Sequence, residues 1–399
     1  MDHFVVYYGG SPPDGGDPPD GRRAALEDSI MHKGRPVTAG SKILENFISP
    51  LDATVATKLE SAGIAIIGKT KMDEFGAAGL FPDSGFSSGA VSAVADGQAT
   101  FALCNDYTGA IRRQAAGRGL YYIHPTYGSV SRYGLVHAVS SMDQIGVVCK
   151  APEEGFQILE IIAGHDPKDG AMLDRSNEIF APGIGGASGA AGWRVRIGLP
   201  ANVFDAVCSD DPMTGGDGQQ QKYAASVGMV GANLESMDIV QCELKYFEVC
   251  TQVMQILCLA ELSANITRYD GVKFGYRAQG YRDLQELYAK TRTEAFGIDS
   301  KLVAIAGAMV LSKENYTKYY DKAMRIRRLI RESLEFDKYD VLMIPATGLR
   351  PGDNLALGAI PQLCGLPALT MPYGSFGYTL IAAAGHESVL YSAYKAVNE

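Results

Sequence analysis

Three stretches carry hydroxyls, a carboxylate and glycines from which a reactive turn could be built: Ser87-Ser88-Gly89, Asp106 to Arg112 (DYTGAIR), and Pro125 to Gly134 (PTYGSVSRYG). Ser/Gly-rich turns ahead of helices are common, so any one of them alone reads as structural. Metal and phosphate chemistry have less support. The six His lack H-E-x-x-H spacing, and His165 in the GHDP stretch reads as a turn residue. The seven Cys are scattered without a CxxC pair, which argues against a zinc site or a disulfide framework and fits a reducing compartment. Gly-rich 181–192 (APGIGGASGAAG) has neither a following Lys-Ser/Thr nor a G-x-G-x-x-G run, so it does not read as a phosphate loop. No cofactor or metal is expected.

The elements that must position these stretches alternate. Asp52 to Ala62 has an Asp at a helix N-cap position and apolar Val55, Leu59 and Ala62 at helical spacing. Gly63 stops it, and the apolar strand Ile64 to Ile67 follows. A second such unit spans Ala90 to Leu103, and a third starts at Pro152. Strands are expected at Arg194 to Leu199, Val341 to Pro345 and Ala368 to Pro372. Residues 222–336 read as mainly helical, including a charged helix from Tyr316 to Glu335. Strands at both ends with helices between imply an α/β chain with a single large mixed sheet flanked by helices. Residues 1–22 read as a flexible Pro/Gly-rich lead-in, 23–399 as one domain, and 181–192 and 209–221 as surface loops.

A net charge of −9 gives no electrostatic footprint for a phosphate backbone, and 21 Tyr with one Trp favour no base-stacking platform. Arg325, Arg327, Arg328 and Arg331 share one helix, with Arg327 and Arg331 on one face. They read as a solvated face or as a docking face for a larger assembly. No uninterrupted apolar run is long enough to span a bilayer. Met1 to Asp20 has no apolar core and no Arg-rich amphipathic face, unlike a secretory signal or a transit peptide.

In series with SKILENF (41–47), GKTKMDEF (68–75), SSMDQIG (140–146), AGHDPKD (163–169), ITRYDGVKFGYR (266–277), RTEAFG (292–297), KAMRIRRLIR (322–331) and CGLPALTMPYG (364–374), the three stretches gain meaning. Their order resembles the amidase-signature family, and within it the A subunits of glutamyl-tRNA(Gln) amidotransferases. The resemblance runs from about Gly21 to the C-terminus and implies the amidase-signature fold. The family's catalytic unit is a lysine, a bridging serine after a cis peptide bond, and a nucleophilic serine that attacks an amide carbonyl and releases ammonia. Backbone N–H groups of the loop before the nucleophile hold the oxyanion.

Carried over residue by residue, that unit is missing. The family's D-T-G-G-S-I-R stands here as Asp106-Tyr107-Thr108-Gly109-Ala110-Ile111-Arg112, with Ala110 at the nucleophile position. The strand G-I-P-x-x-x-K-D-N-I matches Gly21 to Ile30 and puts Glu27 at the lysine position; Lys33 and Lys42 fall at non-catalytic positions. An ungapped count places Phe86 at the bridge, and a slip of one residue would place Ser87 there. The loop between Phe75 and Gly85 is shortened. Where the family's A subunits carry an acid for glutamine's amino group, Leu355 to Gln362 has none, and Asp353 lies upstream. Arg112, Asp143, Gln144, Arg268, Tyr269, Asp270 and Arg277 stand at family positions and are expected to hold the scaffold.

The expectation is therefore a non-catalytic amidase-like pseudoenzyme, a structural or accessory subunit of a larger organellar complex. Its partners would be protein subunits, with any RNA contact indirect and no membrane-spanning segment. Eukaryotic members of the subfamily work in mitochondria and plastids, so the resemblance implies a mitochondrial matrix or matrix-facing location, with the cytoplasm as the alternative. Two other functions stay open. One is an active enzyme, either an amidase or a glutamine-dependent member of the amidotransferase A subunits, using Cys104 or Ser87. The other is a regulatory partner of the tRNA-dependent amidotransferase.

Overall fold

In the computed structural model, residues 2–8, 21–81, 86–174, 194–208, 237–348, 351–373 and 376–398 are described. The expected loops at 181–192 and 209–221, most of the lead-in, and the first residues of the 222–336 segment lie outside them.

Eleven strands form one mixed sheet. In chain order they are β1 (Phe4–Tyr7), β2 (Arg23–Glu27), β3 (Ala65–Thr70), β4 (Phe101–Asn105), β5 (Tyr121–His124) and β6 (Ile145–Cys149), then β7 (Val195–Pro200), β8 (Met237–Cys242), β9 (Val341–Pro345), β10 (Ala368–Tyr373) and β11 (Phe376–Ala382). Across the sheet the order is β1-β3-β2-β4-β6-β5-β10-β11-β9-β7-β8. β3, β2 and β4 run parallel, as do β9, β7 and β8, and the strands between are antiparallel.

The strands' apolar runs explain this architecture, because the central strands are covered on both faces. On β4, Phe101 and Leu103 point to one side, where α1 (Thr54–Ser61) and α4 (Pro152–Ile162) supply Val55, Leu59 and Phe156. Ala102 and Cys104 point to the other, against α2 (Gly89–Ala95) and α3 (Ala110–Gly117). Short α5 (Ala201–Cys208) follows β7. A helical layer then builds a separate core: α6 (Cys250–Ile266), α7 (Leu284–Ala295), α8 (Ile298–Leu311), α9 (Lys322–Glu332) and α10 (Pro351–Cys364). The last helix, α11 (Glu387–Asn398), returns to the sheet.

Four local expectations are corrected. The lead-in is not wholly irregular: Phe4–Tyr7 pairs antiparallel with β3 at the sheet edge. Asp52 does not cap α1; its Oδ1 accepts from the Lys33 N–H at 2.7 Å, and Ala53 holds the N-cap position. The mainly helical 222–336 segment contains β8, an edge strand held by its parallel register with β7. The charged helix of 316–335 is divided, with a π-helical turn at Thr317–Asp321 before Lys322–Glu332.

Among the described residues, one helical segment, Phe247–Ile266, is long and apolar enough to cross a membrane. Val253, Met254, Leu257 and Cys258 are buried here, and the helix packs against α8 and α10. Burial as a core helix, not composition, separates this segment from a span.

Candidate active site

Parallel neighbours β2 and β4 end side by side, at Glu27 and Asn105. The Asn105 backbone N–H donates to Glu27 Oε2 at 3.0 Å, and Ser29 Oγ donates to the same oxygen at 2.7 Å. Burial outweighs both hydrogen bonds and pushes the Glu27 pKa up to about 8, so the protonated, uncharged acid is favoured at neutral pH. Beside it Asp28 is wholly enclosed and accepts from the Thr38 N–H at 2.9 Å. Lys69 Nζ lies 3.7 Å from Asp28 Oδ1 and also donates to the Ile30 carbonyl. Burial pulls Lys69 down to about 8, against the pull of Asp28 and Glu27. Reading the sequence for catalytic lysines missed Lys69. The available signal was a cation continuing an apolar strand that the sheet places in its interior.

After β4 the chain turns through Asp106-Tyr107-Thr108-Gly109 into α3. Asp106 accepts from the Ile111 and Arg112 N–H groups at 3.2 and 3.1 Å, which satisfies two donors of the helix's first turn. Gly109 has φ 81°, and a Cβ there would sit 2.6 Å from Gly358 Cα. α10 thus lies directly on the turn. Ala110, the first helical residue, is buried, and its N–H meets Thr108 Oγ1 at 3.3 Å. Its methyl faces Gly79, where an added Cβ would come within 3.2 Å of the Ala110 Cβ and 2.4 Å of Thr108 Oγ1. Tyr107 is buried and donates to the Phe75 carbonyl at 2.9 Å, over Gly76.

Arg112 locks this turn to α10. Its Nη2 donates to the Gly358 carbonyl and to Gln362 Oε1, and Gln362 Nε2 returns a bond to the Asp106 carbonyl at 2.8 Å. Arg112 Nη1 has no protein partner, and neither has either ring nitrogen of His124. Burial, with the Arg112 charge adding, holds His124 well below its ordinary pKa, hence neutral.

The structure therefore gathers Glu27, Asn105, Tyr107, Thr108, Ala110 and Arg112 at one end of β2 and β4. Phe86 is half-buried against the α2 and β4 side of the core, whereas Ser87 is exposed. Ser88 Oγ accepts from the Val91 N–H at 3.4 Å as the N-cap of α2. Gly85, the far end of the shortened loop, lies outside the described residues. Cys104 is fully buried on β4, and burial pushes its thiol well up. Asp353 lies elsewhere, lining a cavity of about 420 Å³ with Asn202, Glu248 and Thr251. Lys42 packs over the Tyr276 ring, and Lys33 is exposed.

The residues expected to hold the scaffold divide in two. Asp143 accepts from Asn105 Nδ2 (2.8 Å), Ala138 N–H (3.0 Å) and Val139 N–H (2.9 Å), and the Gln144 N–H donates to Asn105 Oδ1 at 2.8 Å. Tyr269 stacks on Phe75. Arg268, Asp270 and Arg277 make short-range contacts instead, to Asn265, to the Val272 N–H and to Tyr281. Of the arginine group, Arg327 is not a solvated residue: it donates to the Leu363 carbonyl (2.6 Å) and to Ser141 Oγ (2.8 Å). Arg325 and Arg328 form exposed pairs with Asp321 and Glu332.

A strand-turn-helix of this kind, set in an eleven-stranded sheet, defines a known class. Residues 21–80 and 83–359 match the Amidase family model, and the chain belongs to that family. Within it there is close homology to the A subunits of glutamyl-tRNA(Gln) amidotransferases. The one from Burkholderia pseudomallei (strain 668) is 36% identical over 387 residues, covering 88% of this chain and 76% of the relative. That from Moorella thermoacetica (strain ATCC 39073 / JCM 9320) is 37% identical over 384 residues, covering 88% and 75%. The crystal structure of the corresponding glutamyl-tRNA(Gln) amidotransferase protein from Thermotoga maritima superposes with TM-score 0.73 at 23% identity, over 99% of this chain and 87% of that one. Native peptide amidase from Stenotrophomonas maltophilia gives 0.69 at 21%, over 95% and 82%. Both structures share the fold.

Proposed function

We propose that this amidase-family chain performs no amide chemistry and serves as a structural or accessory subunit of a larger protein complex. One observation carries the reading: the side chain at the head of α3, where a nucleophile would stand, is the buried methyl of Ala110. A methyl group cannot form an acyl-enzyme. The surroundings agree. The Ala110 N–H, a donor of the kind that would face an oxyanion, meets Thr108 Oγ1 instead. Glu27, at the position of the family's lysine, favours its protonated form at neutral pH and has no serine beside Ala110 to activate.

The test is ammonia release from glutamine, asparagine and simple amides, with background rates expected. Robust turnover that one substitution abolishes would overturn the reading. The likeness to amidotransferase A subunits supports the rival view of a working enzyme, and Cys104→Ala, Ser87→Ala and Thr108→Val are the variants that would expose it. Cys104 is the weakest candidate because its sulfur is enclosed in the core. A regulatory partner of the tRNA-dependent amidotransferase would instead co-purify with aminoacyl-tRNA machinery. For location we propose the mitochondrial matrix or a matrix-facing complex, with the cytoplasm as the alternative; fractionation of the expressing cell separates them.

A further inference from the structure

Where α10 ends, Gly365 takes φ 66° and lies so near the 125–134 stretch that a Cβ there would come within 3.0 Å of Tyr127 Cβ. The Tyr127 N–H donates to the Gly365 carbonyl at 3.2 Å, and the Leu173 N–H donates to the Gly128 carbonyl at 2.8 Å. These contacts bring Tyr127 and Leu173 together with Met324 of α9 and Leu363 of α10 around a cavity of about 440 Å³. That volume and those apolar walls suit a small organic molecule. No residue of the turn at Ala110 lines it.

The charged groups in its wall are all cationic. Arg327, Arg328 and Arg331 line it from α9, where spacings of three and four residues put Arg331 beside each of the others. Arg327 is committed to the Leu363 carbonyl and to Ser141. Behind it, Glu261 accepts from the Ser141 N–H (2.8 Å) and Oγ (2.6 Å), which offsets the Arg327 charge. Arg328 pairs with Glu332 in an exposed bridge that contributes little. Arg331 is exposed and bonds to no other described residue, so its charge is the one left unmatched. The charges of Arg327 and Arg331 both reach the Cys364 thiol in the wall, which burial pushes up to about 12 against their pull. Glu387, under the Thr126 side of the cavity, is engaged by the Thr126 N–H at 2.8 Å. A carboxylate fills one guanidinium fork, whereas a doubly charged phosphate can take the Arg331 fork and draw Arg328 from its exposed pair. We propose that this cavity binds a small phosphate monoester with an apolar body.

The test is calorimetric titration of the full chain with phenyl phosphate at about pH 8, where the group carries two charges. Saturable binding with a dissociation constant of about 0.1–1 mM is expected for a ligand of this size. Benzoate, phenol and inorganic phosphate should each bind about tenfold more weakly or worse, lacking the second charge, the anion and the ring in turn. Arg331→Gln should weaken phenyl phosphate about tenfold. Met324→Glu should weaken it at least as much, and both variants should keep the circular dichroism spectrum because the side chains are exposed. No saturation by about 10 mM, a constant indifferent to Arg331→Gln, or any of the three controls binding as well as phenyl phosphate would overturn the proposal. So would a phosphotyrosine peptide that binds about tenfold more tightly than phenyl phosphate, which would assign the site to a protein ligand. The ammonia assay bears on the turn at Ala110 alone, so the two readings stand or fall separately.

Discussion

Two buried polar networks meet at Asn105, and they differ in degree: the first leaves one nitrogen, Gln144 Nε2, without a protein partner, and the second leaves three. On one side Asp143 takes hydrogen bonds from Asn105, Ala138 and Val139, with His137 Nδ1 at 3.2 Å. On the other, Arg112 leaves Nη1 without a protein partner, and His124 leaves both nitrogens so. Glu27 accepts two hydrogen bonds, yet burial still favours its proton. The first network ties the 137–144 loop to β4 whether or not any reaction occurs. The second surrounds the turn at Ala110. Burying a polar group without a partner costs free energy wherever it sits, so the two networks differ in what they contribute to the fold.

That contrast can be broken or sharpened by substitution. Asp143→Ala should have the largest effect. It strands the donors of Asn105, Ala138 and Val139 in the interior, and a loss of about 3–5 kcal/mol is expected in chemical denaturation. Tolerance of this change would erase the distinction between the networks.

Glu27→Gln should come next, with a sign set by pH. The folded carboxyl titrates near 8 and an unfolded one near its ordinary 4.5. The folded state therefore holds the extra proton between those values, and the native chain loses stability as pH rises through that window. The Gln variant has no proton to lose. It should match the native chain near pH 5 and exceed it by on the order of 3 kcal/mol at pH 9, read from melts at both. An equal difference at the two pH values would refute the assignment.

His124→Phe should change stability by no more than about 1 kcal/mol, because an apolar ring replaces one whose nitrogens bond to no protein group. Ala110→Ser should have the smallest effect. It adds one hydroxyl without a base to activate it, so ammonia release should stay at background and the melt should scarcely move.

The sheet could be anticipated from apolar runs such as Val341 to Pro345, because a strand covered on both faces writes its burial into every residue. The alanine at position 110 was equally visible, since residue type is written in the chain. What escaped were features created by pairing at a distance. Phe4–Tyr7 is four residues long and becomes a strand only through β3. Asp52 has the chemistry of a cap, but the Lys33 N–H claims its oxygen first. Lys69 continues an apolar run that signals burial, but its enclosure with Asp28 is set by the strands that pair on either side. The exposure of Ile298, Leu302, Ile305 and Met309 on α8 depends on Gly307 pressing against Leu259, a fact of assembly, not of periodicity.

The pairing of Phe4–Tyr7 with β3 bears on how the molecule survives handling. The strand occupies the outer rim of the sheet, and Gly68 approaches it so closely that a Cβ there would come within 2.5 Å of the Val6 carbonyl. Trimming the first eight residues as a dispensable leader would leave β3 with a row of bare amides and carbonyls, a template for strands of other molecules. Clumping of a shortened preparation would then report an uncovered border, with the interior still intact.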